Sequence, residues 1–439
     1  MLVTALDDVA WMLNLRGNDI EYNPLFFSYV LLHRVGPKDA ETYSADLFID
    51  QGKVQDAAVL EHLSTNNITV HDYTAVVAKL KEYAAAHAGA SAASEGAEDA
   101  AKAKKKISVD TKQINQKLFE ALEAAEYELV AQDATIEHLK AAKNAVQQEG
   151  MRQCNIRDCA AIMKYFAFLE EELAKPDHGL DEFMGAEKVT AYRAMGELFK
   201  GPSFEPISSI GANGAIIHYA AAKDTAVKLN NDEIYLLDSG GQYLDGTTDI
   251  TRCGHFGGKA PTAFQKQAYT AVLLGTLDVE RVVWPSTGTY HGGDFDILAR
   301  RHLFAAGLDY KHGTGHGVGS LLCVHEGPIG ISRGYTTKFI EGMCVSDEPG
   351  YYHDGEFGIR IENVIMVQKH EKFEDRLIFE NLTVAPYERE LIDTSLVEQG
   401  TLDYLNWHHE KCLAKLTPLL QDDARALAYV TKKCAPLTK

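Results

Sequence analysis

The spacing of apolar positions changes character along the chain. Near the start, LVTAL reads as a strand, YNPLFFSYVLLH is an apolar run bounded by Asn-Pro, and SADLFIDQGKV alternates into a turn at Gln51-Gly52. From Thr135 to Leu173, apolar residues recur every three or four positions without proline, which predicts helix. Gly150 marks a bend or boundary in it, and Pro176 and Gly179 close it. A second helix is predicted over GAEKVTAYRAMGELF. From Ile207 to Val367 the chain turns rich in glycine, β-branched and aromatic residues. Strands are predicted at GAIIHYA, EIYLLDSGGQY, TTDITRCGHF, MCVSDEPGYY and FGIRIENVIMVQ. Helical patterns at PTAFQKQAYTAVLLGTLDVERVV and GGDFDILARRHLFAAG interrupt them. That mixture predicts an α+β domain with antiparallel sheets, followed by a helical tail after Pro386.

Between these patterns, Ala84–Lys106 is low in complexity and reads as a solvated insertion or frayed helix. The 439 residues predict two or three domains. A net charge of −20 argues against nucleic acid or an anionic membrane as partner. No apolar run has the length of a membrane span, and MLVTALDDVAW lacks the features of a signal peptide. Seven cysteines, none in CxxC spacing, fit free thiols in a reducing compartment, the cytoplasm.

Candidate chemistry gathers in the second half: Asp238, Asp249, His316, Glu348 and Glu362. Asp238 directly follows Tyr-Leu-Leu, so its carboxylate is partly buried and needs a partner. If the segments holding Asp238 and Asp249 pair antiparallel, both carboxylates reach one face. Asp245, beside Gly246, reads instead as a turn residue. His316 sits among glycines in HGTGHGVG, and His312 and His325 flank it; not all three can serve one site. Glu348 is held by the Pro-Gly turn after it. Glu362 reads as mid-strand in IRIENV, where a charge demands a metal or an ion pair, Arg360 being one candidate. Four carboxylates and one imidazole suit two divalent cations, with manganese, cobalt or zinc compatible with this donor set. Such a pair commonly activates water, which points to a hydrolase.

LLDSGGQYLDGTTDITR, HGTGHGVG, VHEGP, DEPGYY and GIRIEN resemble the pita-bread metallopeptidases. With LDDVAWMLNLRGNDIEYNP and GANGAIIHY, the chain most resembles the eukaryotic cytosolic Xaa-Pro aminopeptidases from about Leu2 to beyond Asp393. The resemblance implies a partial creatinase-type α/β domain at 1–132, with the insertion at 84–106. A pita-bread catalytic domain at 133–386 and a helical extension at 387–439 would follow. It also implies a parent of three domains whose first is absent here, together with an arginine that domain would extend toward substrate.

The implied activity is release of the residue before proline by a hydroxide that two metal ions, manganese foremost, activate. Asp238 would hold one ion, Asp249 and Glu362 would bridge both, and His316 and Glu348 would complete the second. Glu348 would be the general base, and His218 would stand near the scissile bond. His218 or His325 would stabilise the oxyanion, and His312 and His325 would contact the proline side. Tyr352 and Arg360 would line or back the proline pocket. A homodimer acting on peptides is implied as well. A prolidase-type dipeptidase and a non-catalytic pita-bread binding module are the alternatives. Tripeptide against dipeptide turnover separates the first, and metal content the second.

Overall fold

In the computed structural model, residues 1–35, 42–94, 105–131 and 135–439 are described. Residues 95–104 of the predicted insertion and the predicted boundary at 132/133 lie outside them. By contacts the chain divides into two units. One holds Met1–Ile20 and Pro24–Lys140; the other holds Glu21–Asn23 and Ala141–Lys439.

In the first unit, β1 (Leu2–Val3), β2 (Ser28–Val35), β3 (Thr42–Ile49), β4 (Ile68–Asp72), β5 (Lys106–Val109) and β6 (Glu128–Ala131) form one sheet. Its order is β4-β3-β2-β1-β5-β6, with β1, β2 and β3 antiparallel and the outer pairs parallel. Leu2, Leu31, Phe48, Leu80 and Leu122 form its core with the helices Val76–Ser94 and Gln116–Ala124.

The second unit opens with the helix Ala145–Leu173, whose start is fixed by a reciprocal Asn144–Gln147 capping box. Its boundary therefore lies at Asn144, not at Gly150, which sits inside an unbroken helix. The reason is a close approach: a Cβ on Gly150 would lie 2.1 Å from the Asp245 carbonyl oxygen. Arg157 pairs with the Asp245 carboxylate at 2.5 Å, which secures the same turn. The next helix, Glu182–Ala194, starts and stops earlier than predicted. Leu198 takes a positive φ of 64°, and Phe199 opens a strand.

Four antiparallel sheets follow. β7 (Phe199–Pro202), β10 (Gly241–Tyr243) and β11 (Gly246–Thr247) make one; β8 (Ile207–Ile210), β9 (Tyr235–Ser239) and β12 (Ile250–Gly254) make another. After the helices Ala263–Glu280 and Gly292–Ala305 comes a six-stranded sheet, in the order β13-β20-β19-β16-β14-β15. These are β13 (Val283–Pro285), β14 (Gly315–Gly317), β15 (Glu326–Ile331), β16 (Cys344–Asp347), β19 (Asn363–Lys369) and β20 (Arg376–Asn381). β17 (Gly350–His353) and β18 (Phe357–Arg360) form a hairpin between β16 and β19. The helices Gln399–Leu420 and Ala424–Lys433 pack their apolar faces on the long helix through Cys412, Leu416, Leu420 and Val430.

EIYLLDSGGQY and MCVSDEPGYY each divide between two sheets, at Gly240 and at Glu348-Pro349, and two further predicted strands need correction. GAIIHYA is not a strand: Gly211–Ala215 is a 3-10 turn, and the chain runs on as loop. FGIRIENVIMVQ is two strands in different sheets, so Glu362 lies at their junction rather than mid-strand. All seven cysteines are free. Among the described residues no helix is long and apolar enough to cross a membrane.

Candidate active site

The β9–β12 register places Asp238 opposite Thr251. Asp249 lies two residues before Thr251 and so shares its face. The β18–β19 junction crosses this sheet. There the Glu362 N–H donates to the Thr251 carbonyl at 3.2 Å, and Arg252 donates to the Glu362 carbonyl at 2.8 Å and to Asn363 Oδ1 at 2.7 Å. The Glu362 side chain is thereby delivered to Asp249.

His316 and Glu348 arrive from the larger sheet, where β14 pairs with β16 at Gly317 and Val345. A Cβ on Gly315 would lie 1.9 Å from the Ser346 carbonyl oxygen, so glycine alone permits this approach. The His316 N–H donates to Ser346 Oγ at 2.9 Å, and that hydroxyl donates to Glu348 Oε1 at 3.2 Å. The Glu348 N–H donates to the Thr314 carbonyl at 2.7 Å.

The imidazole orientation is informative. His316 Nδ1 lies 2.9 Å from the Gly317 carbonyl, an acceptor, so Nδ1 carries the proton. In the neutral ring the Nε2 lone pair then faces Asp249 Oδ2 at 3.3 Å and Glu348 Oε1 at 3.4 Å. Three electron-rich groups in contact make this a suitable place for a cation. One ligand atom each from Asp249, His316 and Glu362 falls within 4.8 Å of the others.

Burial pushes the carboxyls of Asp249 and Glu362 well up, and the neighbouring carboxylates add to it. Glu348 is also raised by burial, against the pull of His316 and Arg360. Among the described residues, Arg360 is the one lysine or arginine hydrogen-bonded to any of the four carboxylates, meeting Asp238 Oδ2 at 2.6 Å. Asp238 Oδ1 is buried with no hydrogen-bond partner. Four carboxylates facing one guanidinium leave a charge deficit that two dications would fill. The donor set therefore fits the metals that the sequence predicts.

Around this cluster lies a cavity of about 630 Å³. Every predicted site residue lines it except Tyr352, which stands behind the wall. Tyr352 accepts from Arg360 Nη1 at 2.7 Å and lies 2.9 Å from His312 Nε2. His312 Nδ1 is 2.8 Å from the Gly313 carbonyl and so donates there. The Tyr352 hydroxyl must then donate to Nε2, and the chain Arg360–Tyr352–His312 runs in one direction. Burial pushes His312 down to about 4, which keeps it neutral. His325 packs edge-on against His316 at 4.2 Å, and the protein around it likewise holds it down at about 4. His218 faces the cavity from the loop after the 3-10 turn.

The sequence reading missed several contributors. Thr251 donates to Glu362 Oε2 at 2.8 Å and accepts from Arg360 Nε at 3.2 Å. Its place two residues after Asp249 was a readable signal of a shared face. Phe204, Glu205, Tyr219 and Tyr335 line the cavity, and no local pattern marks them.

Residues 149–369 match metallopeptidase family M24, residues 1–147 the creatinase/prolidase N-terminal domain, and residues 375–437 the C-terminal region of peptidase M24. The chain belongs to metallopeptidase family M24, with a creatinase-type N-terminal domain followed along the chain by a pita-bread catalytic domain.

Among its relatives is a probable Xaa-Pro aminopeptidase P of Pyrenophora tritici-repentis. It is 42% identical over 455 residues, covering 99% of this chain and 71% of that protein. Another, of Laccaria bicolor, is 41% identical, covering 100% of this chain and 64% of that protein. The chain thus spans about two thirds of these relatives' length. The X-prolyl aminopeptidase of Caenorhabditis elegans, described as a cytosolic enzyme with a di-nuclear active site, superposes with a TM-score of 0.86. It is 30% identical, covering 99% of this chain and 68% of that one. An Xaa-Pro dipeptidase from Bacillus anthracis, 21% identical with a TM-score of 0.65, covers 88% of this chain and 93% of its own and shares the fold.

Proposed function

We propose that the chain is a metal-dependent aminopeptidase that removes the first residue from peptides with proline in second place. The observation that carries this reading is the meeting of four carboxylates, three of them buried, and the His316 Nε2 lone pair on one cavity, opposed by a single arginine. The names of the relatives and the di-nuclear site of the Caenorhabditis elegans enzyme support it.

In this reading Asp238 would hold one divalent ion, His316 and Glu348 would hold a second, and Asp249 and Glu362 would serve both. Manganese suits four oxygen donors and one imidazole, with cobalt or zinc as substitutes. When bound, the ions supply Lewis acidity and a water acidified toward neutral pH.

The remaining work falls to side chains. Glu348 accepts the proton of the attacking water on its carboxylate and returns it to the proline nitrogen, which cannot leave unprotonated. His218 or His325 offers an N–H donor to the oxygen that becomes negative as the carbonyl is attacked. Because His325 titrates near 4, it serves as a hydrogen-bond donor at neutral pH rather than as a cationic acid. The Arg360–Tyr352–His312 chain fixes the wall proposed to meet the proline. Asp238 and Glu205, both on the cavity lining, supply negative charge for the peptide's free amine. The same reading makes the chain a cytoplasmic homodimer acting on peptides, with domain limits at 132/133 and 386/387.

Hydrolysis of Arg-Pro-Pro and Arg-Ala-Ala, with and without manganese, tests it. Metal-dependent release of arginine from the proline peptide alone is expected. Equal cleavage of both peptides, or none of either by metal-loaded protein, would reject it.

A further inference from the structure

The loop that carries His218 has little structure of its own. From Ile216 to Ala226 its backbone hydrogen bonds are local, such as Tyr219 N–H to the Ile216 carbonyl and Ala226 N–H to the Ala222 carbonyl. Outside support comes mainly from one residue. Glu182 opens the helix Glu182–Ala194 and is fully buried. Its Oε1 accepts from the Ile210 N–H at 2.9 Å and from Asn213 Nδ2 at 3.1 Å. Its Oε2 accepts from Asn213 Nδ2 at 3.0 Å, the Tyr219 hydroxyl at 2.7 Å and the Val227 N–H at 2.9 Å. The Glu182 N–H donates back to the Val227 carbonyl at 3.1 Å.

These donors come from the end of β8, from the 3-10 turn, from the residue after His218 and from the far end of the loop. One carboxylate thus gathers both ends of the segment and its middle. An acceptor-only group suits them, because every partner is a donor. A helix N-terminus also favours a negative side chain at this position. On its other side the 3-10 turn packs on β18, and Arg360 reaches the Ile217 carbonyl at 3.5 Å. His218 is therefore fixed between a buried carboxylate and the arginine that also holds Asp238.

We propose that Glu182 is a positioning residue for His218, setting the imidazole against the scissile carbonyl through Tyr219 and Asn213. The inference rests on the proposed aminopeptidase reading. Displacement of a group at a reacting centre by about 1 Å costs up to about a hundredfold in rate, so even partial release of this loop is measurable.

The test is a double-mutant cycle of Glu182→Gln and His218→Ala, with Tyr219→Phe as the milder variant if Glu182→Gln fails to fold. Turnover of Arg-Pro-Pro, manganese content and amide exchange at Val227 are read for each. Glu182→Gln should lower kcat about tenfold or more with KM little changed, with manganese content intact and Val227 exchange faster. In the His218→Ala background it should lower kcat no further, because its effect passes through that ring. Equal losses in both backgrounds, or unchanged kcat, would overturn the assignment. Failure of the wild-type chain to cleave the proline peptide would instead overturn the functional reading, and this inference with it.

Discussion

Replacing Arg360 with methionine should destabilise the metal-free protein far more than the metal-loaded one. Arg360 is 2% exposed and makes an ion pair with Asp238, with further bonds to Tyr352 and Thr251. Removing one partner of a buried pair costs about 3–5 kcal/mol, chiefly because the other charge is left uncompensated. Without metal, Asp238 would be that charge, since its other oxygen already lacks a partner. With metal bound, coordination would neutralise Asp238 if it is the ligand proposed above. Tyr352 keeps His312 and Thr251 keeps Glu362, so the cost falls to about 1 kcal/mol. The difference, about 2–4 kcal/mol, must reappear as tighter metal binding by the variant. Urea denaturation in chelator and in saturating manganese measures both costs, and competition with a chelator measures the affinity. Equal destabilisation under the two conditions, or weaker metal binding by the variant, would refute the reasoning.

Other expectations follow from single residues. Asp249→Asn or Glu362→Gln should abolish turnover and lower bound metal, as read by elemental analysis; full activity in either would sink the two-metal assignment. Buried His409 accepts from the Tyr387 N–H, and burial holds it down at about 4. An unfolded histidine titrates near 6.5, so between these values the unfolded chain binds more protons and acid favours unfolding. Full stability is present above about 6.5, and about 2.5 kcal/mol of it should be lost by about pH 4.5. His409→Gln should remove that share of the pH dependence in denaturation at the two pH values, and an unchanged slope would contradict this. Gly150→Ala should cost about 1–3 kcal/mol by overpacking against the Asp245 turn, visible as a lower melting temperature.

The donor residues and most strands were legible because each depends on local signals. An apolar run exposed EIYLLD, β-branched residues exposed TTDITR, and a charge beside apolar residues marked Asp238 and Glu362. What local pattern did not carry was contact between distant segments. GAIIHYA is as β-branched as a strand, yet Glu182, some thirty residues earlier, draws its neighbours into a turn and loop. Gly150 looked like punctuation because its real constraint, the Asp245 turn, is far along the chain. Glu362 looked mid-strand because the change of sheet beside it is set by pairing of β18 with β17 and of β19 with β16.

The most direct test of the central claim is anomalous X-ray scattering at the manganese edge from crystals grown with manganese. Two peaks in the cavity are predicted, each within bonding distance of Asp249 and Glu362, with Asp238 on one and His316 and Glu348 on the other. No peak there, or peaks only elsewhere on the protein, would contradict the account.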